Sequence, residues 1–404
     1  MSRRTWSALF RSMFGSFSAK AKVAARRPNL ALERMEDRAV PAAFTYSGTD
    51  LTIDLDNANE SITLTAQGGG NYVFTSTNNF TGTDITGLTG NNTNTLTIAN
   101  TLSLTNAFIT DSATGTSVVF GTSTGSYVDN FTIQLDNSAG NISFTGSTTF
   151  DDASNNNLVA KTTGATGAVT QTAGTLAVGG SSTFQAATTI TLTQTTNDFT
   201  GAVSLQNFGA NNVSITDINA IILGTSSVGT GTFTINAVGI TQSGAITQAT
   251  GAGAASFTAN AGVITLTQSN DFTGAVTATG AATQITDTNA LTVSLTTTGS
   301  TVLSAGGNLV ASGTVTGATS DLTTTTTGTG TTSFGATTVG QNLSVTSVGA
   351  VSQTGALTVT GTASFAAGTS NITLDTASNA FSTVTVTSGA NVSLAETGGF
   401  TIGG

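Results

Sequence analysis

The 404-residue sequence has no histidine and no cysteine. Without histidine there is no imidazole base, no catalytic triad of the common kind and no imidazole metal ligand. Without cysteine there is no thiol nucleophile, zinc–thiolate centre, iron–sulfur cluster or disulfide. The missing cysteine does not fix the redox compartment, because exported repeat proteins dispense with it too. Charge is scarce: Asp, Glu, Lys and Arg make up 7% of the chain, against the usual quarter. Proline occurs only at Pro28 and Pro41, so nothing beyond residue 41 blocks a continuous backbone ladder. No apolar run after residue 41 approaches the roughly 18 residues of a transmembrane helix.

The rest is 38% hydrophobic, with 48 glycines and many Thr, Ser, Ala and Asn. Disorder requires high charge and low hydrophobicity, so this composition points to folded β-structure. Charge divides the chain in two. Residues 1–38 carry nine of the ten basic residues and three acids, a net of +6, and the remainder carries −16 with Lys161 as its one cation. We therefore divide the chain into 1–41, a basic leader; 42–166, a diverged β-repeat region; and 167–404, clear repeats that end inside a unit.

In the leader, Trp6, Leu9, Phe10, Met13, Phe14 and Phe17 recur at helical spacing among Arg3, Arg4, Arg11, Lys20 and Lys22. That pattern is a short basic amphipathic helix. It suits a targeting segment, with a membrane-surface anchor or a plain tail as the alternatives. Arg11 interrupts the one candidate apolar core of a signal peptide, and Arg3-Arg4 matches a twin-arginine start only in part. Residues Leu32-Glu33-Arg34-Met35-Glu36-Asp37-Arg38-Ala39-Val40-Pro41 resemble the L-E-x-L-E-D-R-x-x-P segment behind the basic leader of large exported planctomycete-type proteins. The resemblance covers ten residues, with Met35 in place of the usual Leu, and implies a bacterial protein that is secreted or delivered to the cell surface.

Beyond the leader the sequence repeats. The phrase Gly167-Ala168-Val169-Thr170-Gln171 recurs as Gly244-Ala245-Ile246-Thr247-Gln248 and Gly349-Ala350-Val351-Ser352-Gln353. Each copy is followed by Ile-Thr-Leu (190, 264, 372) and then by Asn197-Asp198-Phe199, Asn270-Asp271-Phe272 or Asn379-Ala380-Phe381. Runs such as Val213-Ser214-Ile215-Thr216 alternate apolar and hydroxyl residues, the pattern of short half-buried strands. Gly, Asn and Ser clusters separate them. Two all-β architectures fit: an elongated parallel β-solenoid, or β-helix, and an array of β-sandwich domains. The second interval between openings exceeds the first by 28 residues, close to one coil, which a solenoid accommodates more easily. The three Phe of the Asn-x-Phe phrases are expected at equivalent inward positions. The phrases G-A-[VI]-[TS]-Q and I-T-L-T-Q…N-D-F-T-G resemble β-strand repeats of filamentous-haemagglutinin-like and autotransporter-like surface proteins. That resemblance implies an elongated, non-catalytic, adhesin-like protein.

The sequence names no catalytic, cofactor-binding or metal-ligating residue. Hydrolases on β-helices need carboxylates held together. Asp151-Asp152 is the one adjacent acidic pair after residue 41, and neighbours on a strand face opposite ways. Asp54-Leu55-Asp56-Asn57-Ala58-Asn59-Glu60 alternates oxygen ligands but lacks the glycine and distal Glu of a calcium loop. Asp198, Asp271, Asp217 and Asp287 recur with the repeats and read first as turn caps. A body at −16 repels phosphate, so nucleic acid is not expected as a partner. Expected partners are glycans or other surface proteins. Phe400 and Ile402 continue a strand pattern up to the last residue, so either the natural protein is longer or 42–404 self-associates end to end. The alternative function is a carbohydrate-active or calcium-dependent β-helix enzyme module.

Overall fold

Alternation of apolar and hydroxyl residues turns every second side chain inward, and that parity decides the architecture. The computed structural model describes residues 42–403, apart from 128, 138 and 151–155. The leader 1–41 and the Asp151-Asp152 pair therefore lie outside the described residues. The described chain is all strand and turn, with no helix.

From Asn106 onward the strands stack in parallel. One ladder runs through Leu266, Ile285, Leu303, Thr324, Val345, Phe365 and Val386 on successive rungs. A second runs through Ile142, Val169, Ile190, Val213, Phe233, Ala255, Val276 and Val293. Each step advances the chain by about twenty residues, one coil of a solenoid. This is the expected parallel β-solenoid; independent sandwiches would have closed their pairings within a domain. Ladder residues facing inward, among them Ile190, Val213, Phe233 and Leu303, are fully buried.

The region 42–166 holds two arrangements. Ala42–Ser47 pairs antiparallel with Asp50–Leu55, and Asn71–Ser76 lies antiparallel between Ser61–Gln67 and Thr95–Ile98. These hairpins meet the first coils through Asp50–Leu55 on Asn106–Asp111 and Ser61–Gln67 on Ser117–Phe120. An aromatic cluster fills the core at this junction. Tyr72 stacks on Tyr127 at 5.3 Å, Tyr127 on Phe150 at 5.0 Å, and Phe120 on Phe144 at 4.8 Å. The rings are buried and pack against one another at ordinary aromatic contact distances.

Coil corners bring backbones close. Gly313 has φ +102°, and a Cβ there would press on the Leu295 carbonyl of the coil beneath. Gly251 also has positive φ, at +76°, but open space around it. Gly313→Ala should therefore lower stability by about 2–3 kcal/mol through strain and contact together, and Gly251→Ala by about 1 kcal/mol through strain alone. Thermal unfolding of the two variants side by side checks this. Equal losses would mean that stacking contact at the corner costs nothing.

Candidate functional site

The residues shared by the repeats meet at the corners between stacked strands. In the first copy Gln171 donates Nε2 to Asn197 Oδ1 at 2.7 Å, and Asn197 Nδ2 donates back to Gln171 Oε1 at 2.8 Å. The same reciprocal amide pair joins Gln353 to Asn379 at 2.7 and 2.8 Å. Each Asn is fully buried. Its Oδ1 also accepts the backbone N–H that opens the next strand, from Leu176 or Leu357 at 2.9 Å. Its Nδ2 reaches the carbonyl that ends the previous strand, of Leu192 or Leu374. The plug thus satisfies backbone groups that a sharp corner removes from the ladders.

The second copy uses Gln242. Gln242 pairs with Asn270 at 2.8 and 3.0 Å, and Ile246 N–H donates to Asn270 Oδ1 at 2.9 Å. Gln248, which the sequence aligns with Gln171 and Gln353, holds a different corner through Gly253 and Gly274. The strands Val169–Gln171 and Val351–Gln353 belong to one ladder, whereas Gly239–Gln242 stacks between Ala220–Leu223 and Ile264–Asn270 on another. The second copy therefore sits at a different corner of the coil. The repeating unit is the corner, and the intervals between copies are not whole coils, so the 28-residue difference does not mark one inserted coil. The distance from Gln to Asn, 26, 28 and 26 residues, would have identified Gln242.

A carboxylate completes each corner. The N–H of Phe199, Phe272 and Phe381 donates to Asp217, Asp287 and Glu396 at 3.3, 3.0 and 2.9 Å. All three phenyl rings are buried, as expected of equivalent inward positions. The second oxygens of Asp217 and Asp287 accept the N–H of Asn219 and Asn289, two residues on, at 2.9 and 2.8 Å. These are Asx turns. Burial pushes the Asp217 carboxyl up to about 6, and the neighbouring Asp198 adds to the rise. Asp287 is raised likewise, by burial first and then by Asp271.

Because the folded pKa of Asp217 lies above its unfolded value, the folded state binds the proton more tightly. The resulting stabilisation is fully present below about pH 4 and is lost as pH rises through about 6. Denaturant unfolding from pH 4 to pH 8 should show the fold weakening in that window, and Asp217→Asn should flatten the slope. An unchanged slope in the variant would assign the titration elsewhere.

A perturbed carboxyl in a groove is a common mark of catalysis. Here the same bond recurs at Asp287 and Glu396, so the capping role accounts for Asp217. The sequence Asp54–Glu60 does not gather around a common point: Asp54 accepts Ser112 Oγ, Asp56 accepts Asn57, and buried Glu60 accepts Ser76 Oγ at 2.6 Å. Among the described residues no group of three or more carboxylates is placed to hold a metal ion. Lys161 lies on a strand between Gln134 and Gln185 and helps hold Asp136 below the usual carboxylate range, after hydrogen bonds from Thr163 and Gln134.

A groove of about 520 Å³ opens beside the first corner. Thr193 and Thr195, on the turn that leads into buried Asn197, form one wall. Asn260, in a turn with φ +47°, forms the other. Between them two coils supply the rest of the lining, with buried Asp217 at the floor and the exposed Ile218 and Val238 at the rim.

A family model described as repeats of unknown function (DUF5649) matches residues 139–206, 210–279 and 320–388, together just over half of the chain. No curated protein and no solved structure matches the sequence.

Proposed function

The chain belongs to the DUF5649 family of repeats, and from that footing we propose that it is an exported, non-catalytic cell-surface protein whose solenoid serves structure and adhesion. The observation that carries the reading is where the repeated residues are spent. Gln, Asn and carboxylate close the corners of the coils, which leaves rows of Thr, Ser and Asn to face outward. Such rows are uncharged and rich in hydrogen-bonding groups, and they suit contacts with glycans or other surface chains. The ladder groups between coils are consumed within the fold, so successive coils hold one another without disulfides. The basic leader and the Leu32–Pro41 segment support delivery to the outside of a planctomycete-type bacterium.

If this is right, protein recovered from the cell surface should begin near Ala42 or at an earlier small residue such as Ala25. Cells that display it should hold to a glycan-coated or cell-coated surface more firmly than cells that lack it. Intact Met1 on a purely cytoplasmic protein would overturn the export reading. No difference in attachment would overturn adhesion. Among the described residues no helix is long and apolar enough to cross a membrane.

A further inference from the structure

We propose that the groove between the turns at Thr193–Thr195 and Thr258–Asn260 binds a short run of an uncharged glycan lying along the solenoid axis. The proposal rests on the adhesion reading and names the ligand class and the site.

Three strand spacings separate the outer walls, about 14 Å, and the volume of about 520 Å³ falls in the range of ligand clefts, about 300–1,000 Å³. The lining is mixed in the way a sugar requires. Ile218 and Val238 are 47% and 50% exposed and stand one coil apart on the rim, where they offer an apolar shelf to the C–H face of a pyranose. Around them lie Thr193, Thr195, Thr216, Asn236 and Thr258. None of these five side chains hydrogen-bonds to another group among the described residues, although Thr and Asn at neighbouring positions bond across coils, as Thr175 does to Thr196 and Asn219 to Asp198. Their hydroxyl and amide groups are free to meet the hydroxyls at a sugar's edge.

Other ligand classes fit less well. The ladder N–H and C=O groups are used between coils, so an added peptide strand finds no edge here. The groove has no cation, and Asp217 lies at its floor beneath a body of net −16, so phosphate chains and acidic sugars are repelled. Both Asp217 oxygens are held by the N–H groups of Phe199 and Asn219, so the carboxylate keeps the floor in place rather than taking a ligand ion.

The test is a panel of neutral and acidic oligosaccharides against the full chain, followed by titration of whichever sugar binds. Val238→Arg fills the groove from its exposed rim, and Asn236→Leu removes the central amide without adding charge. Phe208→Ser, at an exposed apolar side chain outside the lining, serves as control. We expect an uncharged oligosaccharide to bind, with affinity at least about tenfold weaker in either groove variant and unchanged in the control. Binding of acidic sugars alone, no binding, or parental affinity in both groove variants would overturn the proposal. Attachment of cells displaying Val238→Arg separates the two readings. Full attachment with no sugar in the groove leaves adhesion standing and the groove refuted, whereas wild-type cells that never attach refute adhesion itself.

Discussion

Asn270→Ala is expected to lower the stability of the solenoid by about 3–5 kcal/mol, because it strips partners from several buried groups at once. Asn270 Oδ1 accepts from Gln242 Nε2 and Ile246 N–H, and Nδ2 faces Gln242 Oε1, the Leu266 carbonyl and the Thr286 carbonyl at 3.0–3.2 Å. Alanine leaves the N–H of buried Ile246 without its acceptor and the carbonyls of Leu266 and Thr286 without this donor, while half-buried Gln242 keeps the Gly244 carbonyl and the Gln268 N–H. Each orphaned group costs about 1–3 kcal/mol. Asn270→Asp separates the two arms of the plug. It keeps the acceptor but turns a carboxylate toward three oxygen acceptors, so it should be severely unstable at neutral pH and partly restored in acid. Long repeat arrays lose strict cooperativity. The appropriate readout is therefore amide exchange, with accelerated opening centred on the coils around 240–290. Uniform protection in Asn270→Ala would show that the plug is dispensable.

The strands were legible because hydroxyl–apolar alternation leaves only one face to bury; the parallel solenoid was favoured over sandwiches on a 28-residue difference that is not one inserted coil, because the repeat copies sit on different ladders. The corner was half legible. Asn197, Asn270 and Asn379 stand out in sequence, but their partners do not, because Gln171 and Gln353 open with Gly-Ala-[VI] while Gln242 opens with Gly239-Ile240. A more conspicuous phrase, Gly244–Gln248, lies a few residues later and belongs to another corner. Phrase matching follows composition, whereas the structure is fixed by the Gln-to-Asn separation that spans one coil. The carboxylate caps were legible in part: Asp217 and Asp287 read as turn caps, and they hold Asx turns, but their bonds to the Phe N–H of the preceding coil and the part played by Glu396 did not show. Asp217, Asp287 and Glu396 lie one coil beyond their Phe, and the third copy changes both the residue type and its neighbour, with Ala380 where the others have Asp. The antiparallel hairpins of 42–98 share the alternation of the coils, and alternation does not encode strand direction.

Phe272→Ala should cost about 3–5 kcal/mol, the range for emptying a fully buried phenyl site. The ring is 1% exposed and meets Phe257 edge-on at 5.7 Å, which in turn meets Phe233 at 5.8 Å. Backbone ladders on adjoining coils hold the walls apart, so the cavity has little scope to collapse, and the loss should fall in the upper half of the range. Phe381→Ala should cost less. Its ring is 5% exposed, and the Phe400 it meets at 6.4 Å is only partly buried. Phe208→Ala, at a ring 47% exposed, should change stability by less than about 0.5 kcal/mol. Denaturant unfolding of the three variants should give the order 272, 381, 208. A Phe272→Ala protein as stable as the parent would place that ring in solvent and break the equivalence of the Asn-x-Phe corners on which the account of the repeat depends.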